Sequence, residues 1–177
     1  MLAISFQYYQ SDFGEFKLAS FEGKLCICDW RYRKQRSRID TRIQQGLQTA
    51  FIEKDSPIIQ KAIHQLEEYF QGVRKAFDIP LLRIGTDFQK SIWEELLKIP
   101  YGRTITYLDL AHKINNPDSI RAVASANAAN ALSIFIPCHR VIGSDGSLSG
   151  YAGGLTAKKK LLDLESGFTY GKQLRII

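Results

Sequence analysis

Hydrophobic residues alternate with polar ones through the first thirty positions. Leu2, Ile4, Phe6 and Tyr8 share one parity, and Phe16, Leu18 and Ser20 resume it after Ser11-Asp12-Phe13-Gly14. After Glu22-Gly23, Leu25, Ile27 and Asp29 fall on one face of a third stretch and Cys26, Cys28 and Trp30 on the other. Period-two runs broken by turn residues predict an antiparallel meander of three strands. From Pro57 the period becomes helical. Ile58, Ile59, Ala62, Ile63, Leu66, Tyr69 and Phe70 form a stripe, with Asp55 or Ser56 as cap and Gly72 as stop. His64 falls off that stripe and reads as a surface residue. Residues 73–86, which include Pro80 and Gly85, read as a connection to a second domain.

The second half is mostly helical. Thr86-Asp87-Phe88-Gln89 is a capping-box pattern, and Phe88, Ile92, Trp93, Leu96 and Leu97 follow at helical spacing up to Pro100. Tyr101-Gly102-Arg103 makes a turn. Thr106-Tyr107-Leu108-Asp109 then opens another helix, which Asn115-Asn116-Pro117-Asp118 breaks. Ser119 is placed to cap a third helix, from Ile120 to about Ala129, and Thr156 a last one, which Gly167 ends. Two short helices across a tight turn make a helix-turn-helix candidate. Its second helix is nearly all small residues with Arg121 at its start. If the partner is DNA, a helix of that kind suits the minor groove, about 6 Å wide, better than the major groove; on composition alone, packing of the alanines against a neighbouring helix is the stronger reading. The expected fold class is α/β of the α+β kind. Residues 1–82 form an N-terminal domain of a three-stranded antiparallel sheet plus helix. Residues 83–170 form a mainly helical, winged-helix-like domain, and residues 171–177 a tail.

Composition narrows the class. A hydrophobic fraction of 45% and a charged fraction of 24% suit a soluble globular chain. No apolar run approaches the length of about 20 residues that a membrane span needs. The N-terminus lacks a secretory pattern, so a cytoplasmic location is expected. Cys26, Cys28 and Cys138 are an odd set without the spacing of a disulfide framework, which fits a reducing compartment. Cys26 and Cys28 read as core residues, not metal ligands, because four ligands are wanting. The net charge of +6 permits a polyanionic partner without requiring one. Arg31, Arg33, Lys34, Arg36, Arg38 and Arg42 stand against Asp40 alone. That run could meet phosphate, but reads first as a solvated loop or strand end.

The candidate chemistry lies in Ile136-Pro137-Cys138-His139-Arg140-Val141. Pro137 stiffens the backbone before Cys138. A thiol beside an imidazole, between an apolar run and a glycine-rich loop, is a candidate nucleophile. Pro137 through Gly143 and Gly150-Tyr151-Ala152-Gly153-Gly154-Leu155 together resemble the O6-alkylguanine-DNA alkyltransferases, as do Ile99 through Thr104, Tyr107, Arg121-Ala122-Val123, Asn130 and Glu165. The resemblance covers roughly residues 86–166.

That resemblance implies a set of roles. Cys138 would be the alkyl acceptor, His139 and Glu165 the relay for its proton, and Asn130 a hinge. Tyr107 would crowd the target phosphate and donate a proton to guanine N3, and Arg121 would replace the extruded nucleotide. Ser119, Ala122, Ser125, Ala126, Asn127 and Arg103 would meet DNA. Val141, Tyr151, Ala152, Ser133 and Gly153 would line the pocket. Ala131 stands where the family usually has proline. The implied partner is double-stranded DNA bearing O6-alkylguanine, with O4-alkylthymine a second candidate substrate. No cofactor, structural metal, membrane or obligate protein partner is implied, and a monomer is expected. A thioether product is not cleaved again, so the protein should act once. A turnover hydrolase built on Cys138, His139 and Glu165, or a regulator that ignores Cys138, are the rivals. Turnover beyond one equivalent would mark the first, and sequence-selective binding the second.

Overall fold

The computed structural model describes residues 2–167, and the tail set off above at residues 171–177 lies outside them. The chain divides into two compact units, Met1–Gly85 and Thr86–Ile177. In the first, β1 (Ile4–Ser11), β2 (Gly14–Phe21) and β3 (Lys24–Trp30) form the expected meander, with Phe6 opposite Ala19 and Phe16 opposite Trp30. The sheet has four strands, not three. β4 (Phe51–Glu53) pairs in parallel with β1, giving the order β3-β2-β1-β4. Three residues are too few to show a period of two.

The basic run is not a solvated loop. It leads into helix α1 (Arg36–Leu47), whose Ile39 and Ile43 are buried. Part of its charge is used internally, while Lys34 and Arg38 are exposed. Asp29 has no exposed surface, and Arg33 and Arg36 reach its Oδ2 at 2.8 and 2.9 Å. Arg36 also donates to Asp40 at 2.9 Å, and Lys17 meets Asp40 at 2.8 Å. Helix α2 (Pro57–Phe70) starts where Ser56 Oγ accepts from Ile59 N at 3.3 Å. Both faces of β3 are covered, so Cys26 and Cys28 are core thiols. Burial pushes Cys26 up to about 12 and Cys28 well above its usual value, so both stay protonated. Residues 73–86 are more than a connection. Leu25 N donates to Pro80 O at 2.9 Å and Leu82 N to Leu25 O at 2.8 Å, so this segment lies along β3 and occupies that edge.

In the second unit, α3 (Asp87–Leu97) and α4 (Tyr107–Lys113) both begin with complete capping boxes, Thr86 with Gln89 and Thr106 with Asp109. Then come α5 (Ile120–Ala128) and α6 (Leu155–Ser166), while β5 (Ile105–Thr106) and β6 (Val141–Ile142) pair in parallel. Two caps differ from expectation. Ser119 Oγ donates to Asn116 O at 2.6 Å within the 3-10 turn Pro117–Ser119 and caps nothing. The last helix begins at Leu155, with Gly154 in the cap position at a φ of 86°, so Thr156 is already inside it. Trp93 is core, and its Nε1 donates to Ala126 O at 2.9 Å, which ties α3 to α5. No helix among the described residues is long and apolar enough to cross a membrane.

Removing one partner of a buried ion pair strands the other charge. Asp29→Ala is therefore expected to destabilise the protein by about 3 kcal/mol. Denaturant unfolding followed by circular dichroism measures this, and a loss too small to resolve would contradict the buried-pair reading.

Candidate active site

The segment before Cys138 is held by one amide side chain. Asn130 is 2% exposed. Its Nδ2 donates to Ile136 O at 2.9 Å, and its Oδ1 accepts from Leu132 N at 2.9 Å. Ile136 N donates to Leu132 O at 2.8 Å and closes the loop. Ile134 inside it has a φ of 74°, a conformation a β-branched residue rarely adopts. Burial and the Asn130 bonds over-determine that backbone. Pro137 then takes φ −80° and ψ 63° while Cys138 N donates to Ile136 O at 2.8 Å, an inverse γ-turn. Cys138 thus opens the 3-10 turn Cys138–Arg140 at a set angle, 4% exposed.

That turn directs two side chains at Glu165 on α6. His139 Nε2 lies 2.7 Å from Glu165 Oε1, with both side chains buried. Arg140 grips the same carboxylate with two donors, Nε to Oε2 at 2.8 Å and Nη2 to Oε1 at 2.9 Å. Its Nη1 donates to Ile99 O at 2.6 Å, and Gly102 N donates to Glu165 Oε2 at 3.3 Å. Gly102 has a φ of 74°, and a Cβ there would lie 2.9 Å from Glu165 O, so glycine is needed for this approach.

Electrostatics assign the protonation states. Burial lowers the His139 pKa, and the pull of Glu165 only partly offsets this, so the ring is neutral near pH 7. Burial alone would raise Glu165, but His139 and the Arg140 guanidinium outweigh it and hold the carboxyl well below its usual range. A neutral imidazole facing an ionised carboxylate carries its proton on Nε2, and Nδ1 is then the basic nitrogen.

Around this core stand Tyr107, Asn127 and the glycine-rich loop. Tyr107 donates its hydroxyl proton to Ser149 O at 3.3 Å, and Lys158 Nζ donates to the same oxygen at 3.0 Å. Burial and the neighbouring Cys138 raise the Tyr107 pKa, so the phenol keeps its proton. The Tyr151 ring stands edge-on to His139, with centroids 6.4 Å apart. Ala152 and Gly153 are half-buried, whereas Val141 and Ser133 are fully buried. On α5 the outward face carries Arg121, Ala122 and Ser125, all exposed; Arg103 is exposed and Ser119 half-buried. Ala126 is 2% exposed and Asn127 5%, both on the inward face with Val123, and Asn127 Nδ2 donates to Cys138 O at 3.4 Å. Helical phase puts residues 123, 126 and 127 on the side opposite residues 121, 122 and 125.

Sequence reasoning missed Arg140, Lys158 and Gly102. A signal existed for Lys158. It falls on the buried stripe of α6 with Leu161, Leu162 and Glu165, where a lysine is out of place.

The pairing of His139 with Glu165 predicts how stability depends on pH. His139 has a lowered folded pKa, so the unfolded chain takes up protons first, from about pH 6.5 downward. Glu165 is also lowered, so its contribution is present above about pH 4.3 and is lost below it. Stability should therefore fall as pH falls in both windows. Glu165→Gln should flatten the acid limb of a plot of melting temperature against pH. An unchanged limb would contradict the assigned states.

Comparisons with known proteins bear on the whole arrangement. A sequence profile of the 6-O-methylguanine DNA methyltransferase ribonuclease-like domain matches residues 4–82, and one of that family's DNA binding domain matches residues 87–167. The methylated-DNA–protein-cysteine methyltransferase of Methanosarcina barkeri is 45% identical over 156 residues, which is 88% of this chain and 93% of the relative. The constitutive methylated-DNA–protein-cysteine methyltransferase of Bacillus subtilis is 48% identical over 109 residues, 62% of this chain and 66% of the relative. The crystal structure of Mycobacterium tuberculosis O6-methylguanine methyltransferase superposes with a TM-score of 0.77 at 34% identity, covering 97% of each chain. Mycobacterium tuberculosis OGT in complex with DNA gives 0.79 at 34% identity, covering 94% of this chain and 96% of that one. With both profiles in order along one chain, and the cysteine turn, its buried imidazole and its carboxylate in place, this protein belongs to the 6-O-methylguanine DNA methyltransferase family.

Proposed function

We propose that this protein repairs double-stranded DNA by taking the alkyl group of O6-alkylguanine onto its own Cys138 in a single irreversible event. One observation carries the reading in a chain of this family: Cys138 stands next to a neutral, buried His139 whose Nε2 is committed to the ionised Glu165 at 2.7 Å. Nδ1 is then the base for the thiol proton, which reaches it directly or through one water. The sulfur electron pair forms the bond to the alkyl carbon, and the bond from that carbon to guanine O6 breaks. The electrons leave on guanine, which takes the Tyr107 proton at N3, and the proton parked on His139 restores the phenol. The product thioether resists hydrolysis, so each molecule is used once.

The target atom is stacked inside the duplex, so the nucleotide must be extruded. The exposed face of α5 supports minor-groove approach, because Ala122 and Ser125 let the backbone come close and Arg121 at its start is free to enter the stack. Asn130 braces the turn that connects this helix to Cys138. The second domain, residues 83–170, is thus read as the DNA-binding and alkyl-acceptor domain. All the reacting groups come from one chain, which fits a monomer, and a free catalytic thiol fits the cytoplasm.

The test is the mass of the whole protein after incubation with a duplex oligonucleotide containing O6-methylguanine. The mass should rise by one methylene unit on the peptide containing Cys138 and stop there however much substrate is supplied. Cys138→Ala should bind the duplex and gain nothing. Turnover beyond one equivalent, or methyl on another residue, overturns the reading. Arg121→Ala should slow transfer from duplex DNA by about tenfold, since stacking lost on extrusion is no longer partly replaced. Single-turnover kinetics with duplex and free base compared would show this, and equal rates for the variant and the parent on duplex would contradict it.

A further inference from the structure

Lys158 is a lysine with no exposed surface, on α6 one turn from Leu161 and Leu162. No carboxylate among the described residues pairs with it, and a buried ammonium without such a partner is costly to keep. Its Nζ donates to Ser149 O at 3.0 Å and stands 5.9 Å from the Tyr107 ring centroid. Burial brings its pKa down to about 8, so it is still largely charged near neutrality.

Ser149 O is the meeting point of two donors from two helices, Lys158 on α6 and the Tyr107 hydroxyl on α4. A phenol has one proton to give. While that proton lies on Ser149 O, at 3.3 Å, it is not on a guanine nitrogen. A carbonyl has two lone pairs, so it can lose one donor and keep the other. We propose that Lys158 is a positioning residue for alkyl transfer: by holding the Ser149 carbonyl it releases the Tyr107 hydroxyl to the leaving guanine and keeps residues 149–154 against the pocket. Without the ammonium, Tyr107 could serve the base only by leaving Ser149 O short of a donor, and the loop bearing Tyr151, Ala152 and Gly153 would lose its anchor. The proposal rests on the reading that Cys138 is the acceptor and Tyr107 the proton donor.

The experiment compares two electrophiles on four proteins: the parent, Lys158→Met, Tyr107→Phe and the double variant. One electrophile is a methylated duplex oligonucleotide under single-turnover conditions. The other is iodoacetamide, which alkylates Cys138 and releases iodide, so it needs no proton from Tyr107. Lys158→Met should slow methyl transfer by about tenfold, the scale of a lost charged hydrogen bond. Its iodoacetamide rate should stay close to that of the parent. The double variant should be no slower on DNA than Tyr107→Phe, because Lys158 acts through Tyr107. Equal losses on both electrophiles would overturn the proposal, since Lys158 would then act on the sulfur or on packing at large. Multiplying losses in the double variant would overturn it too. Should Lys158→Met fail to fold, Lys158→Gln, too short to reach the carbonyl, carries the same comparison. A parent protein that takes no methyl at Cys138 would instead remove the reading beneath it.

Discussion

A buried carboxylate is an expensive thing to keep, and the second unit is organised around one. Glu165 is taken out of water and then satisfied on both oxygens, by His139, by two donors of Arg140 and by Gly102 N. Desolvation of such a group costs several kcal/mol unless its lone pairs are met. The partners come from separate parts of the chain. Gly102 follows the end of α3, His139 and Arg140 sit in the turn before β6, and Glu165 is on α6. Satisfying one charge therefore brings three segments to one point. Ile99 O, bound by the free arm of Arg140, adds a second tie between the first two.

From that point the geometry runs outward to the sulfur. An ionised carboxylate sets which nitrogen of His139 carries the proton, and burial keeps the ring neutral. On the other side, Asn130 and the γ-turn at Pro137 hold the backbone that presents Cys138, at the expense of a strained Ile134. The site is assembled from pieces that would each be unfavourable alone: a buried acid, a buried lysine, a left-handed isoleucine. They persist because each is satisfied or confined by its own neighbours: Glu165 by His139 and Arg140, Lys158 by Ser149 O, and the Ile134 loop by Asn130. The first unit shows the same economy in a different place, where Asp29 collects Arg33 and Arg36.

The sequence was legible wherever a local rule acted without competition. Two capping boxes, at Thr86 and Thr106, mark helix starts that the structure repeats, and the period-two runs give the meander. Cys138, His139 and Glu165 were identified by motif, and the structure brings His139 and Glu165 into contact. What escaped depended on distant partners. The arginine run looks solvated until Asp29 and Asp40 are seen to use it, and β4 is too short to announce itself. In α5 nearly every side chain is small, so there is no polar contrast to show which face turns inward. Only burial shows that Ala126 and Asn127 lie on that inward face. Ser119 lost its cap role because Pro117 opens a 3-10 turn that takes up its hydroxyl.

The protonation of His139 tests the central claim most directly, because sulfur chemistry by this route needs a neutral ring protonated on the Glu165 side. Nitrogen-15 NMR of the labelled protein at neutral pH resolves the two ring nitrogens. The account predicts a neutral imidazole with its proton on Nε2 and a basic, unprotonated Nδ1. A proton on Nδ1 alone, or a fully charged imidazolium in the unreacted protein, would contradict it.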